Sequence, residues 1–139
     1  MCGIVGFLNL SNNYSDQQLG GIINDMSYSL KHRGPDDSGS WVDAQTGIAL
    51  GHRRLTVLDL SKEGRQPMVS FGGRYCLIFN GEIYNFHKLR DELNKSNAAI
   101  HWRGNSDTEV LLAAIEFWGL EKAVKKCIGM FAFALWDRE

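Results

Sequence analysis

The sequence is poor in the features that build cross-links, linkers and membrane spans. Its three cysteines, Cys2, Cys76 and Cys127, are an odd number with no CxxC pair. That argues against a disulfide framework and points to a reducing cytoplasm. Only two prolines occur, and no proline-rich linker, low-complexity tract or internal repeat divides the chain. The formal net charge is -1, without an arginine-rich helix or a lysine run, so nothing favours nucleic acid or an acidic membrane as partner. The longest apolar stretch, residues 127–136, is about half of what a membrane-spanning helix needs. It reads as a buried strand. The opening Met1-Cys2-Gly3-Ile4-Val5-Gly6 lacks the basic segment and long apolar core of a secretory signal. His32, His52, His87 and His101 do not recur at metal-ligand spacing, so no metal site is expected. No glycine-rich nucleotide loop is present.

What remains is an ordinary globular composition. The 139 residues, 44% of them hydrophobic and 22% charged, suffice for one real core and are too few for two domains. Residues 3–8 form a short apolar run, expected as a buried strand. Ser15, with Gln18 three positions on, makes a capping box. Leu19, Ile22, Ile23, Met26 and Leu30 then follow at helical spacing on one face, although Gly20-Gly21 weakens that helix by about 1 kcal/mol per glycine. Gly34-Pro35 stops it. Strands are expected over 38–42, 48–53 and 74–79, the last preceded by a hairpin turn at Gly72-Gly73. Asn85 is placed to cap a helix through Leu93. Ser106 and Glu109 form a second capping box before a helix over 107–118, and a last strand is expected over 130–136. Strands, a helix, strands, two helices and a strand indicate an α+β layered fold rather than a doubly wound sheet.

Several residues could carry chemistry, each with a plainer reading beside it. Cys2 follows the initiator methionine. If Met1 is removed, thiol and α-amine sit on one residue, and an α-amine with an ordinary pKa near 7.7–8.0 can serve as the base for its own nucleophile. By itself, Cys2 reads more simply as a small buried residue at the head of a strand. Asn80-Gly81 reads first as the commonest short turn signal; the less favoured reading, taken alone, is that it offers a side-chain amide and an approachable backbone N–H as an oxyanion hole. Asp107 and Glu109 suit the first turn of a helix. Arg54 reads as a charge at a strand end, yet its forked guanidinium would match a substrate carboxylate.

The order of these signals is more specific than any one of them. MCGIVGF, HRGPDDSG, GHRRL, QPM, NGEIYN, GNSDTEVLL and GMFAFALWDRE follow one another along nearly the whole chain. In this order the sequence resembles the class II glutamine amidotransferases, which are N-terminal-nucleophile hydrolases, and among them the glutaminase half of the asparagine-synthetase type. The resemblance implies a four-layer α/β/β/α sandwich and hydrolysis of glutamine. Cys2 matches the nucleophile, Asn80 and Gly81 the oxyanion hole, Arg54 the carboxylate-binding arginine, and Glu82 and Asp107 the acids around the substrate ammonium. Residues 32–37 match a family motif for which the residues themselves give no catalytic role; Gly34 and Pro35 suggest that it shapes the wall of the site. Family members continue through further strands and an ATP-using synthetase domain. The resemblance therefore implies an incomplete glutaminase domain over residues 1–139, with a last strand lacking its neighbours. ATP and Mg are expected only in the absent synthetase domain, which is the implied partner besides glutamine; a homodimer is left open. The rival expectation is a non-catalytic module on the same scaffold, but all six matched residues are present.

Overall fold

The computed structural model describes residues 2–11, 13–55, 62–96 and 100–139. The elements run β1 (Gly3–Leu8), α1 (Asp16–Ser29), β2 (Asp37–Asp43), β3 (Ile48–Arg54), a short 3-10 turn (Lys62–Gly64), β4 (Met68–Val69), β5 (Tyr75–Ile83), α2 (Phe86–Lys95), α3 (Asp107–Trp118), α4 (Leu120–Lys126) and β6 (Gly129–Asp137). They build two antiparallel three-stranded sheets, ordered β1-β3-β2 and β4-β5-β6.

Strand alternation explains the layering. Successive side chains point to opposite faces. On β3, Ala49 packs with Leu19 and Ile23 of α1, whereas Ile48 and Leu50 pack with Cys76 and Ile78 of β5. On β5, Leu77, Phe79 and Ile83 face the opposite way, into the core formed with Leu89, Leu93, Leu111 and Ile115 of α2 and α3. One helix thus covers the first sheet, the two sheets face each other, and the remaining helices cover the second. This is the expected four-layer α/β/β/α order.

The capping box of α1 forms as expected: Ser15 Oγ accepts from Gln18 N–H, and the Gln18 side chain accepts from Ser15 N–H. Of the expected apolar face, Leu19 and Ile23 are fully buried and Ile22 is exposed. The Gly72-Gly73 turn is present, with Gly73 N–H donating to Ser70 O at 3.0 Å and Gly73 at φ 77. Ser106 Oγ caps α3 by accepting from Glu109 N–H at 3.2 Å. The Glu109 carboxylate turns instead to the N–H groups of Arg103 and Gly104, at 2.8 and 3.0 Å.

Two elements were unforeseen, and two further expectations need correction. The helix α4, opened by Gly119, went unforeseen because its seven residues are too few for a periodic signal. So did the two-residue strand β4. Asn85 stands at the start of α2 without capping it. Its amide instead donates to Lys126 O at 2.9 Å and accepts from Ile128 N–H at 2.8 Å, joining α2 to the α4–β6 connection. The stretch that forms β6 is not a buried strand: among the described residues β6 pairs only with β5 and lies at the edge of its sheet, and Met130 is 76% exposed.

Candidate active site

Alternation also assembles the site. Ile4 of β1 and Ile48 and Leu50 of β3 face the second sheet. Cys2 lies two residues before Ile4, and His52 and Arg54 continue the even-numbered face of β3, so all three belong to the same inner side. Cys76 and Ile78 of β5 face back across the gap, and Asn80 and Glu82 continue that face. The three strands β1, β3 and β5 therefore deliver Cys2, His52, Arg54, Asn80 and Glu82 to one end of the inter-sheet space. These residues line a cavity of about 370 Å³ together with Gly81, Gln66 and Asp107.

The pairing of Gly3 with Arg53 brings Cys2 to the end of β3. There its Sγ accepts from Leu55 N–H at 3.4 Å and lies 3.6 Å from Leu55 O. The other two cysteines are poor candidates for a reactive thiol. Burial pushes the Cys76 thiol up to about 12, and burial also raises that of Cys127.

Arg54 is almost fully buried, and the loop over residues 32–37 explains how it is held. A Cβ on Gly34 would come within 2.4 Å of the Arg53 carbonyl carbon and 2.6 Å of Arg54 N. Only glycine lets the loop lie this close to β3. Arg53 Nε donates to Gly34 O at 2.8 Å, and Asp36 N–H to Arg54 O at 3.0 Å. The motif without an assigned role thus packs directly on the strand end that carries Arg54, and Asp37 extends the contact through an ion pair to Arg65 at 2.7 Å.

Asn80 and Gly81 do not form a turn. They sit inside β5, opposite Ala132 and Phe131 of β6. A Cβ on Gly81 would lie 2.3 Å from Met130 O, and its φ is 146, a conformation that side chains disfavour. Asn80 Oδ1 is buried with no hydrogen-bond partner among the described residues, an arrangement that costs about 1–3 kcal/mol. The edge of β5 away from β6 is open here. Phe79 N–H on that edge is taken by Gln66 and Ile83 N–H by Asp107. Gly81, midway between them and of the same parity, directs its N–H to the same side, along the cavity wall.

Asp107 opens α3 and is buried. Its Oδ2 accepts from Ile83 N–H at 3.0 Å and its Oδ1 from Thr108 N–H at 2.8 Å. Burial pushes its carboxyl above the ordinary range against the pull of these bonds, and the nearby charge of Glu82 adds to the rise. Two acids, Glu82 and Asp107, and one arginine, Arg54, line the same cavity and provide opposite charges for a zwitterion. Sequence reasoning missed His52 and Gln66, both buried in the cavity wall. The flanking GHRRL and QPM motifs were the available signal. Among the described residues, no group of three or more His, Cys, Asp or Glu could hold a metal ion. A second cavity of about 350 Å³, lined by Phe71, Ile100, Trp102, Leu112 and Phe117 among others, gathers mainly apolar side chains and lies apart from Cys2.

A family model described as a glutamine amidotransferase domain matches residues 1–139. The chain belongs to this family. It is similar to a putative glutamine-hydrolyzing asparagine synthetase of Mycobacterium tuberculosis, at 38% identity over 99% of this chain and 22% of the relative. Asparagine synthetase 1 of Bacillus subtilis, also named glutamine-hydrolyzing, is 40% identical over 99% of this chain and 21% of the relative. This amidotransferase domain thus spans about a fifth of the length of these relatives. Its fold is similar to that of the glutamine phosphoribosylpyrophosphate amidotransferase of B. subtilis, with a TM-score of 0.65 at 20% identity, over 99% of this chain and 35% of that one.

Proposed function

We propose that this domain hydrolyses glutamine to glutamate and ammonia, with Cys2 as nucleophile. The observation that carries the reading is the gathering of Cys2, Arg54, Asn80, Gly81, Glu82 and Asp107 around one cavity. Arg54 grips the substrate carboxylate, and Glu82 and Asp107 face its ammonium. The side-chain amide of glutamine then lies toward Cys2 Sγ. The thiolate adds to the amide carbon, and the oxygen that becomes negative is stabilised by the Asn80 amide and the Gly81 N–H. Ammonia leaves with a proton, forming a thioester, and water cleaves the thioester to glutamate and free thiol. The base is the Cys2 α-amine released when Met1 is removed; Met1 itself lies outside the described residues.

By analogy with the relatives, the ammonia passes to a synthetase domain that uses ATP and Mg and forms an amide on a carboxylate acceptor. The three free cysteines fit a reducing cytoplasm. Among the described residues, no helix is long and apolar enough to cross a membrane.

The test is intact mass of the purified protein before and after exposure to an electrophilic glutamine analogue. Loss of the methionine mass plus a single adduct, absent in Cys2→Ala, is the expected result. A processed chain that takes no adduct would overturn the reading.

A further inference from the structure

The open edge of β5 is held by side chains where a strand would ordinarily hold it. The strand β4 covers only two positions, Met68 opposite Leu77 and Val69 opposite Cys76. The next peptide groups on that edge belong to Phe79. Its N–H donates to Gln66 Oε1 at 2.6 Å, and its carbonyl meets His52 Nε2 at 3.1 Å. A carbonyl can only accept, so Nε2 carries the proton in this contact. Because its oxygen takes the Phe79 N–H, Gln66 is left with its amide nitrogen toward Thr108 Oγ1, at 3.3 Å. Both side chains are buried, His52 at 1% and Gln66 at 8% exposure. Two unrelated segments therefore close on a single residue, Phe79, which immediately precedes Asn80.

We infer that His52 and Gln66 are positioning residues: by clamping both backbone groups of Phe79 in place of a strand partner, they set the orientation of Asn80 and Gly81. The inference rests on the glutaminase reading. The Phe79 carbonyl carbon is bonded to Asn80 N, so the clamp fixes the peptide plane next to the Asn80 side chain and, one residue further, the Gly81 N–H. Oxyanion donors act as charge develops on the amide oxygen, so their misplacement slows turnover more than it weakens binding of the ground state. The Arg54 backbone is held separately, its carbonyl accepting from Asp36 N–H, so binding of the substrate carboxylate is expected to change little when Gln66 is replaced.

The experiment is steady-state glutamine hydrolysis by the processed protein and its variants, with circular dichroism to establish folding. Gln66→Ala is expected to lower kcat about 10- to 100-fold with KM changed less than about threefold. Gln66→Glu, which retains an acceptor for Phe79 N–H, should recover most of the loss. If Gln66→Ala does not fold, His52→Asn takes its place: the shorter amide stays polar but cannot reach the Phe79 carbonyl, and the same split between kcat and KM is expected. An unchanged kcat in the folded variant, or a loss confined to KM, overturns the inference while leaving glutamine hydrolysis in force. A wild-type chain that neither turns over glutamine nor takes the Cys2 adduct overturns both.

Discussion

Asp107 Oδ2 accepts the backbone N–H of Ile83 at 3.0 Å, so a carboxylate proposed to face substrate also closes the end of strand β5. The proposed function therefore joins substrate binding and strand geometry in one side chain. Asp107→Ala leaves the N–H groups of Ile83 and Thr108 without their acceptor, at about 1–3 kcal/mol each when buried. The expected result is a lower melting temperature together with a raised KM for glutamine. Asp107→Asn keeps one acceptor oxygen and should lose less stability while still raising KM. A melting temperature unchanged in Asp107→Ala would contradict the structural half of this role.

His52 gives a pH dependence of known sign. Burial holds its pKa down to about 4, from an ordinary 6.5, with Arg54 lowering it further and the Phe79 carbonyl and Asp37 pulling it up. The folded state thus disfavours the proton that the unfolded chain accepts. The His52 contribution to stability is expected to be fully present above about pH 6.5 and to be lost as pH drops toward 4, by about 3 kcal/mol in all. Urea denaturation of wild type and His52→Gln across that window measures it. Identical pH slopes in the two proteins would refute the assignment.

The glycines divide by what surrounds them. Gly81→Ala places a Cβ 2.3 Å from Met130 O at φ 146 and should destabilise by at least about 3 kcal/mol. Gly20 and Gly21 lie within α1 with nothing within 4 Å of a Cβ. Gly20→Ala is expected to stabilise by about 0.5–1 kcal/mol. Chemical denaturation of the two single variants should give opposite signs.

Asn80→Ala removes one donor from the proposed oxyanion hole and also deletes an Oδ1 that has no partner among the described residues. A fall in kcat of about 10²–10³ with no loss of fold stability is expected. Arg54→Lys loses the forked geometry for a carboxylate and should act mainly on KM. Wild-type turnover by Asn80→Ala in a glutamine hydrolysis assay would remove it from the site.

The four-layer order and the six candidate residues, which the structure brings to one cavity, came from the resemblance that the motifs carry. The order of strands and helices made the α+β class legible, because apolar runs and capping follow local rules. Ser15 with Gln18 announced α1 by such a rule, and Gly72-Gly73 announced the turn before β5. The Asn80-Gly81 pair shows where local rules fail. In isolation it is a turn, but its pairing with Phe131 and Ala132 keeps it in a strand. Asn85 likewise spends its amide on Lys126 and Ile128, which are remote in sequence.

The sequence by itself determined which side chains are available and, through the period of two along β1, β3 and β5, which of them share a face. The tertiary structure alone decided what holds them. Gly34 is needed because a loop presses on the backbone of Arg53 and Arg54, Gly81 because β6 passes within a Cβ's reach, and Gln66 and His52 because β4 stops short of Phe79. Each of these is a contact between segments apart in the chain. The Gly81 contact arises within one sheet, the Gly34 contact between a loop and β3, and the His52–Phe79 contact when the two sheets face each other.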